Sequence, residues 1–477
     1  MLSAALIISG VCMLPSLGMS LLYAEYRVST LMGIIALICI IAGITGRRFS
    51  TGIMTQIHPR LNYMTILFTW IMLIFISVFV FLIGIPEYSL ADAVLESTAS
   101  WTTTGIGIFD MADLPMGLQL WRATCNWLGG VGIIMVALSL MAPRKFVGWG
   151  LASVEFPGPS FIKSESPFRM NYRKVVGLYA IFTLIQFVLL CIADMEPFTA
   201  LLTTLSNTST AGLRHIQNGV VSDYSATIKV IITVFSFLGS VNCLFFLYLY
   251  KNHLKAIKDS SELRFYLWRI IITTAFIAGF VKHSFPDMHL GKIACDVLMQ
   301  VISFVSTSGY IISDCNAWPQ ICVLFILLQM FIGSCALSTG GGIKGCRIII
   351  AVKSVSYSIY RHIHPCSVRT LTYDKKPMKS NQVVRANLYI ALFMMTYLVG
   401  ALLLTIEDIG VYDALNYSQA MITNTGTSIG ELSAPGSAAG FTSLSKYVMS
   451  VLMLAGRLEL YPLLMIFFRN FWKSSES

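Results

Sequence analysis

Uninterrupted apolar runs of about 20 residues recur from one end of the chain to the other, the length a helix needs to cross a hydrocarbon layer about 30 Å thick. They cover residues 4–23, 28–45, 61–84, 175–192, 265–281 and 384–404, and again 117–141, 226–250, 318–337 and 444–471. None alternates apolar and polar residues, as the strands of a membrane barrel do. Of the 477 residues 56% are hydrophobic and 12% are charged, against about 25% charged in soluble domains. Mean hydropathy is +0.73. These values exclude a water-soluble enzyme and a disordered chain. Lipid tolerates only helices and closed barrels, so the expected fold is an all-α polytopic membrane protein.

The first two runs form an N-terminal helix pair, residues 1–48, turning at Glu25 and Arg27. A cleaved leader is the alternative for the first run, but no basic residue precedes it. Four units follow, at 60–145, 172–252, 264–360 and 383–472. Each has a long apolar helix, a short half-polar segment and a second long helix. Basic residues cluster after the second helices: Arg144, Lys145, Lys163 and Arg169; then Lys251, Lys255, Lys258 and Arg269; then Lys344, Arg347, Lys353, Arg361, Arg369, Lys375 and Lys376. By the positive-inside bias these loops are cytoplasmic, as are both termini. The opposite side carries Asp92, Glu96, Asp110, Asp223, Asp296, Asp314, Glu407, Asp413 and Glu431. The net charge of +10 is therefore a gradient across the membrane and not a nucleic-acid surface. An acidic outer mouth concentrates cations. The eleven cysteines contain no CxxC pair, and the His362-x-His364 pair lacks the further ligands of a closed metal site.

The half-polar segments repeat. They end in Thr103-Thr104-Gly105, Thr210-Ala211-Gly212, Thr307-Ser308-Gly309 and Asn424-Thr425-Gly426, with 107, 97 and 117 residues between successive glycines. Thirteen residues before the glycine stands Asp92, Asp296 or Asp413, and Thr199 in the second copy. Each is an N-cap residue type, so each is expected to start a helix of about ten residues, too short to span. Hydroxyl residues and a glycine then favour unwound backbone. Such backbone survives at membrane depth only when buried in protein or lining a watery cavity. Four copies suit a ring of carbonyls of the kind that replaces the hydration shell of K⁺. The alternative is four outer loops with ordinary turn residues; the fourfold repetition argues against it.

These segments, with Trp127-Leu128-Gly129-Gly130-Val131-Gly132-Ile133, Ser338-Thr339-Gly340-Gly341-Gly342-Ile343-Lys344 and Gly456-Arg457-Leu458-Glu459, resemble the Trk/Ktr/HKT superfamily of potassium transporters. The likeness is nearest to the bacterial Trk-type membrane subunit, and it covers almost the whole chain. The resemblance implies four membrane-helix/pore-loop/membrane-helix repeats around one pore, with K⁺ bound at the twelve segment residues named above. It implies a homodimer in the cytoplasmic (inner) membrane. It also implies a cytosolic RCK-type ring that binds NAD or ATP. No GxGxxG follows a strand here, so no cofactor is expected on this chain. The sequence departs from the family where Phe often follows the glycine: here stand Ile106, Leu213 and Tyr310, and the fourth segment continues Thr427-Ser428. All four glycines are present, which by the resemblance favours K⁺ over Na⁺. Coupling to H⁺ or Na⁺, or a less selective pathway, stays open.

Gly340, Gly341, Gly342 and Gly345 interrupt a helix in which each glycine costs about 1 kcal/mol. Gly342-Ile343-Lys344 lacks the Gly-Lys-Ser/Thr of a phosphate loop. In the family this break is an intramembrane gate loop, and Gly340, Gly341, Gly342, Lys344 and Arg457 are its candidate residues; the alternative is a packing break. Arg457 inside the last apolar run faces a cavity or a partner; pairing with Glu459 or reaching to the interface are the alternatives. No convergent catalytic set is evident, so an enzyme is not expected.

Overall fold

The computed structural model describes residues 2–49, 59–108, 113–132, 172–212, 224–250, 257–313, 315–366, 370–427 and 437–468. Arg144, Lys145, Lys163, Arg169, Lys251, Lys255, Arg369, Asp110, Asp223, Asp314, Glu431, Ile133, Leu213 and Ser428 lie outside the described residues.

The N-terminal pair is α1 (Leu2–Leu22) and α2 (Tyr26–Phe49). A methyl group on Gly10 would stand 2.9 Å from the Ala36 carbonyl oxygen, and one on Gly43 2.7 Å from that of Ser3. Small residues thus let the two backbones approach, the usual basis of helix association in lipid. At the turn, Glu25 leaves the hairpin and accepts the Met116 and Gly117 amides at 2.7 and 3.2 Å. It caps α5 (Met116–Val131), whose own N-cap is Pro115 with no side-chain bond.

The first helices of the four units are α3 (Pro59–Gly84), α6 (Tyr172–Ile192), α10 (Ser261–Ser284) and α14 (Ser380–Thr405). With α1 and α2 they are the six helices, among the described residues, long and apolar enough to cross a membrane. Their outer faces expose large apolar side chains, such as Leu184 and Val188 on α6 and Leu398 and Leu402 on α14, as a lipid-facing surface requires.

The second helices differ from expectation. Instead of four long spans, the structure has α5, α8 (Ala226–Ser240), α12 (Gln320–Ile332) and α16 (Ser443–Arg457), each of 16 residues or fewer. After Ser240 the chain breaks and resumes as α9 (Cys243–Tyr250). After Ile332 it runs through a loop into α13 (Gly345–Ile363). After Arg457 it bends by 118° into α17 (Tyr461–Leu464) and the short turn behind it. The break before α13 is the one expected from Gly340, Gly341, Gly342 and Gly345; the others an apolar sequence does not reveal, because broken and continuous spans need the same lipid-facing residues.

The charges also need correction. Glu96 and Asp92 do not line an open acidic mouth: both are buried, paired with Arg122 and Lys446 respectively. Arg269, Lys344 and Arg347, counted above with the cytoplasmic loops, are buried side chains of the membrane domain. Lys375 is exposed as expected, on the two-stranded ribbon β1 (Thr372–Tyr373) and β2 (Lys376–Pro377), where it pairs with Asp259 at 2.7 Å.

Candidate functional site: a four-segment ring and the layer beneath it

Each half-polar segment begins as a short helix: α4 (Leu90–Trp101), α7 (Pro197–Thr208), α11 (Leu290–Val305) and α15 (Val411–Ile422). The position thirteen residues before the glycine is not the N-cap. In three copies it is the third helical residue, behind Ser89, Glu196 and Gly410 as N-caps. There Asp92 takes the Ser89 amide at 2.9 Å, the reciprocal half of a capping box. The third helix starts a turn earlier, at a His289 cap, and Asp296 falls in its interior.

All four helices end identically. Thr103, Thr210, Thr307 and Asn424 have φ between 54° and 59°. Their amides reach back three residues, to Ser100, Asn207, Phe304 and Met421, at 3.0–3.4 Å. The next amides, of Thr104, Ala211, Ser308 and Thr425, reach back five, to Ala99, Ser206, Ser303 and Ala420, at 2.9–3.0 Å. This is the Schellman termination, normally built on glycine. A β-branched residue there is an outlier that costs about 1–2 kcal/mol, and three of the four are threonine. Their side chains supply a reason: Thr307 Oγ1 accepts the Gly341 amide at 2.7 Å, Thr210 lies 3.4 Å from the Thr339 hydroxyl, and Asn424 donates to the Met453 carbonyl at 2.8 Å. A glycine would end the helix without tying it to what lies below.

Glycine appears two residues later, where a side chain has no room. Gly105, Gly212, Gly309 and Gly426 all have φ between 68° and 84°. A methyl group on Gly105 would stand 1.7 Å from the Ala211 carbonyl oxygen, on Gly212 2.8 Å from that of Ser308, on Gly309 2.3 Å from that of Thr425, and on Gly426 1.8 Å from that of Thr104. Each glycine therefore abuts the carbonyl preceding the glycine of the next unit, in the order one, two, three, four and back to one. The four segments close a ring. Asn424 donates to Thr104 Oγ1 at 3.0 Å across the closing joint, and Thr427 Oγ1 donates to the Gly309 carbonyl at 2.7 Å. The twelve segment residues singled out in the sequence are thus brought together, and all are buried.

The second helices press on the ring from one side. Methyl groups on Gly129 and Gly456 would meet the carbonyls of Trp101 and Ile422, at 2.0 and 2.1 Å; on Gly340 and Gly341 they would meet those of Ser306 and Thr423, at 2.6 and 2.0 Å. The loop 333–344 therefore lies directly against the third and fourth segments. Thr339 also donates to the Gly239 carbonyl at 3.0 Å, beside the second. Arg457 extends from the fourth unit and donates to Thr339 in the third, at 2.7 Å, and to Gly129 and Gly130 in the first, at 2.6 and 2.8 Å. The first and third units are opposite in the ring, so the guanidinium bridges beneath it. Glu459 takes Arg347 at 2.9 Å, and Arg347 also stacks on the Tyr389 ring at 3.7 Å. Lys344 Nζ donates to Ser334 Oγ at 3.0 Å and to the Gly340 carbonyl, inside the loop.

Sequence reasoning missed what holds this loop in place. Glu262 on α10 accepts the Ala336 and Cys346 amides, at 2.7 and 3.2 Å, gathering both ends of the loop on one oxygen. Two turns on, Arg269 donates to the Gly333 carbonyl at 2.5 Å. The available signal was Arg269 inside an apolar run, where a charge is costly and faces a partner. Among the described residues no group of His, Cys, Asp and Glu is arranged to hold a metal ion.

The model of the TrkH family, described as a cation transport protein, matches residues 29–474. Among curated proteins the chain is similar to the Trk system potassium uptake protein TrkG of Escherichia coli strain K12, 27% identical over 475 residues that cover 97% of this chain and 95% of that one. It is also similar to the Trk system potassium uptake protein TrkH of Halomonas elongata, 27% identical over 429 residues that cover 88% and 87%. Among solved structures it resembles the crystal structure of the potassium transporter TrkH from Vibrio parahaemolyticus, with a TM-score of 0.83, 22% identity and 99% of both chains covered. That likeness concerns the fold.

Proposed function

Because the chain belongs to the TrkH family of cation transport proteins and is a membrane transport protein, not an enzyme, we propose that it carries K⁺ inward through the axis of the four-segment ring. The observation that carries this reading is the closure of the ring: four glycines, each against the next unit's carbonyl. Backbone oxygens of equivalent segments around one axis can replace the water shell of a dehydrated cation, and they discriminate by number and spacing. The twelve segment residues are the proposed K⁺ site. The membrane potential drives the ion, worth about 2.3 kcal/mol per charge for each 100 mV.

Beneath the ring, Arg457 and the loop with Gly340, Gly341, Gly342 and Lys344 form the proposed gate. A guanidinium under the ion path repels cations, and its three carbonyl partners belong to two opposite units. Opening requires the loop to leave Thr307 and Thr339 to leave Gly239 and Arg457. A cytosolic NAD- or ATP-binding ring is the proposed source of that movement, acting on a homodimer in the inner membrane. The test is electrical. Purified protein in planar bilayers under a K⁺ gradient, with Na⁺ and H⁺ symmetric or absent, should pass current reversing near the K⁺ potential. Transport that requires a Na⁺ or H⁺ gradient would replace the pore with a symporter.

A further inference from the structure

The filter segments are braced from behind. We infer that the buried Glu96–Arg122 pair positions the first segment for ion selection, and that Gln300, with no charged partner, does the same in the opposite unit. This deepens the filter reading above and rests on it.

The two braces share one register. Glu96 and Gln300 both stand nine residues before their segment glycine, and Ile108 and Ile312 both stand three residues after it. Glu96 accepts the Ile108 amide at 3.0 Å, and Gln300 accepts the Ile312 amide at 2.8 Å. The carbonyl just past the glycine is held in both units as well. Ile106 O accepts from Arg122 Nη2 at 2.7 Å; Tyr310 O accepts from Gln300 Nε2 at 3.2 Å and from Ser303 at 2.6 Å. A carboxamide carries an acceptor and a donor, whereas an ionised carboxylate only accepts. Gln300 therefore reaches both backbone groups with one uncharged side chain, and Ser303 shares the Tyr310 carbonyl. Glu96 needs a donor beside it, and Arg122 on α5 is that donor, paired with Glu96.

The two solutions differ in one respect. Arg122 Nη2 also lies 3.1 Å from the Gly105 carbonyl, so a positive charge sits against a ring residue. Glu96 neutralises it there, with both side chains almost wholly buried. In the third unit the Gly309 carbonyl accepts instead from the uncharged Thr427 hydroxyl at 2.7 Å. In the second and fourth units the same place holds Thr203 and Tyr417, and the residues three past the glycine lie outside the described chain. Glu96, Arg122 and Gln300 are positioning residues; they act on the ion through the backbone.

The experiment compares K⁺/Na⁺ permeability ratios from reversal potentials of monodisperse protein in bilayers. The ratio does not depend on how much protein folds. Glu96→Gln removes the carboxylate that pairs with Arg122 and is expected to lower the ratio about tenfold, the low end of what a hydrogen bond to a charged group is worth. Combining Glu96→Gln with Arg122→Met removes the charge and gives the first unit the carboxamide of the third, with Ala99 where Ser303 donates, so the ratio should recover in part. A wild-type ratio in Glu96→Gln, or no recovery in the double variant, overturns the inference. If neither variant folds, Gln300→Glu carries the test, because it removes the amide donor to Tyr310: a lowered ratio supports the brace and an unchanged ratio overturns it. A wild-type protein without K⁺ preference would instead defeat the filter reading itself.

Discussion

The ring and the layer beneath it are made by the same four units under opposite rules. In the ring the units are interchangeable. Four helices end in one hydrogen-bond pattern, with left-handed residues at matching places and a glycine against the next unit. In the layer beneath, the three units whose continuation is described all differ. One second helix breaks and resumes at once as α9, one opens into the loop 333–344, and one bends by 118° at Arg457. Identity around an axis suits a site that must surround a spherical ion evenly. Difference suits a barrier that one unit removes and the others need not. On the proposed reading, selection and gating separate into adjacent layers, and variants should separate them too.

The largest effects belong to the ring. Alanine at any segment glycine combines a left-handed backbone, costing about 1–2 kcal/mol, with a collision against a carbonyl. The collision is graded: 1.7 Å at Gly105, 1.8 Å at Gly426, 2.3 Å at Gly309 and 2.8 Å at Gly212. The K⁺/Na⁺ permeability ratio should fall in all four variants, most for Gly105→Ala and Gly426→Ala and least for Gly212→Ala. Equal ratios across the series would mean that the glycines do not set the ring's dimensions.

Smaller effects belong to the layer beneath. Arg457→Ala removes a charge and the bridge between opposite units. It should raise K⁺ flux while leaving the K⁺/Na⁺ ratio at its wild-type value. A barrier of 1–2 kcal/mol corresponds to roughly five- to thirtyfold in rate. Radiotracer uptake into proteoliposomes, normalised to incorporated protein, measures the rate. A changed ratio would show that the two layers are not separable.

The sequence discloses this division unevenly. The spans of α1, α2, α3, α6, α10 and α14 follow from apolar length alone, since lipid imposes it. The ring was legible because four short strings recur, and repetition carries information that no single string has. The N-caps were misplaced in all four copies, by three residues at Asp92, Thr199 and Asp413 and by seven at Asp296, because residues of these types occur both at the cap and in the first turn. The break after α12 was legible in its glycines; the ends of α5, α8 and α16 were not. Gly129 and Gly456 stand against ring carbonyls near two of these ends, and packing partners distant in sequence leave no local trace. The same holds for Glu262, whose role depends on Ala336 and Cys346 some eighty residues away, and for the Arg347–Glu459 pair.

The central claim is that backbone oxygens of the ring hold the transported ion. Crystals grown with Tl⁺ in place of K⁺ test it most directly, because Tl⁺ matches K⁺ in size and scatters anomalously. The account predicts an anomalous peak on the ring axis, bounded by the carbonyls of Thr104, Ala211, Ser308 and Thr425 and lost in Gly105→Ala. An undiminished peak in that variant, or Tl⁺ bound only to side chains away from the axis, would contradict it.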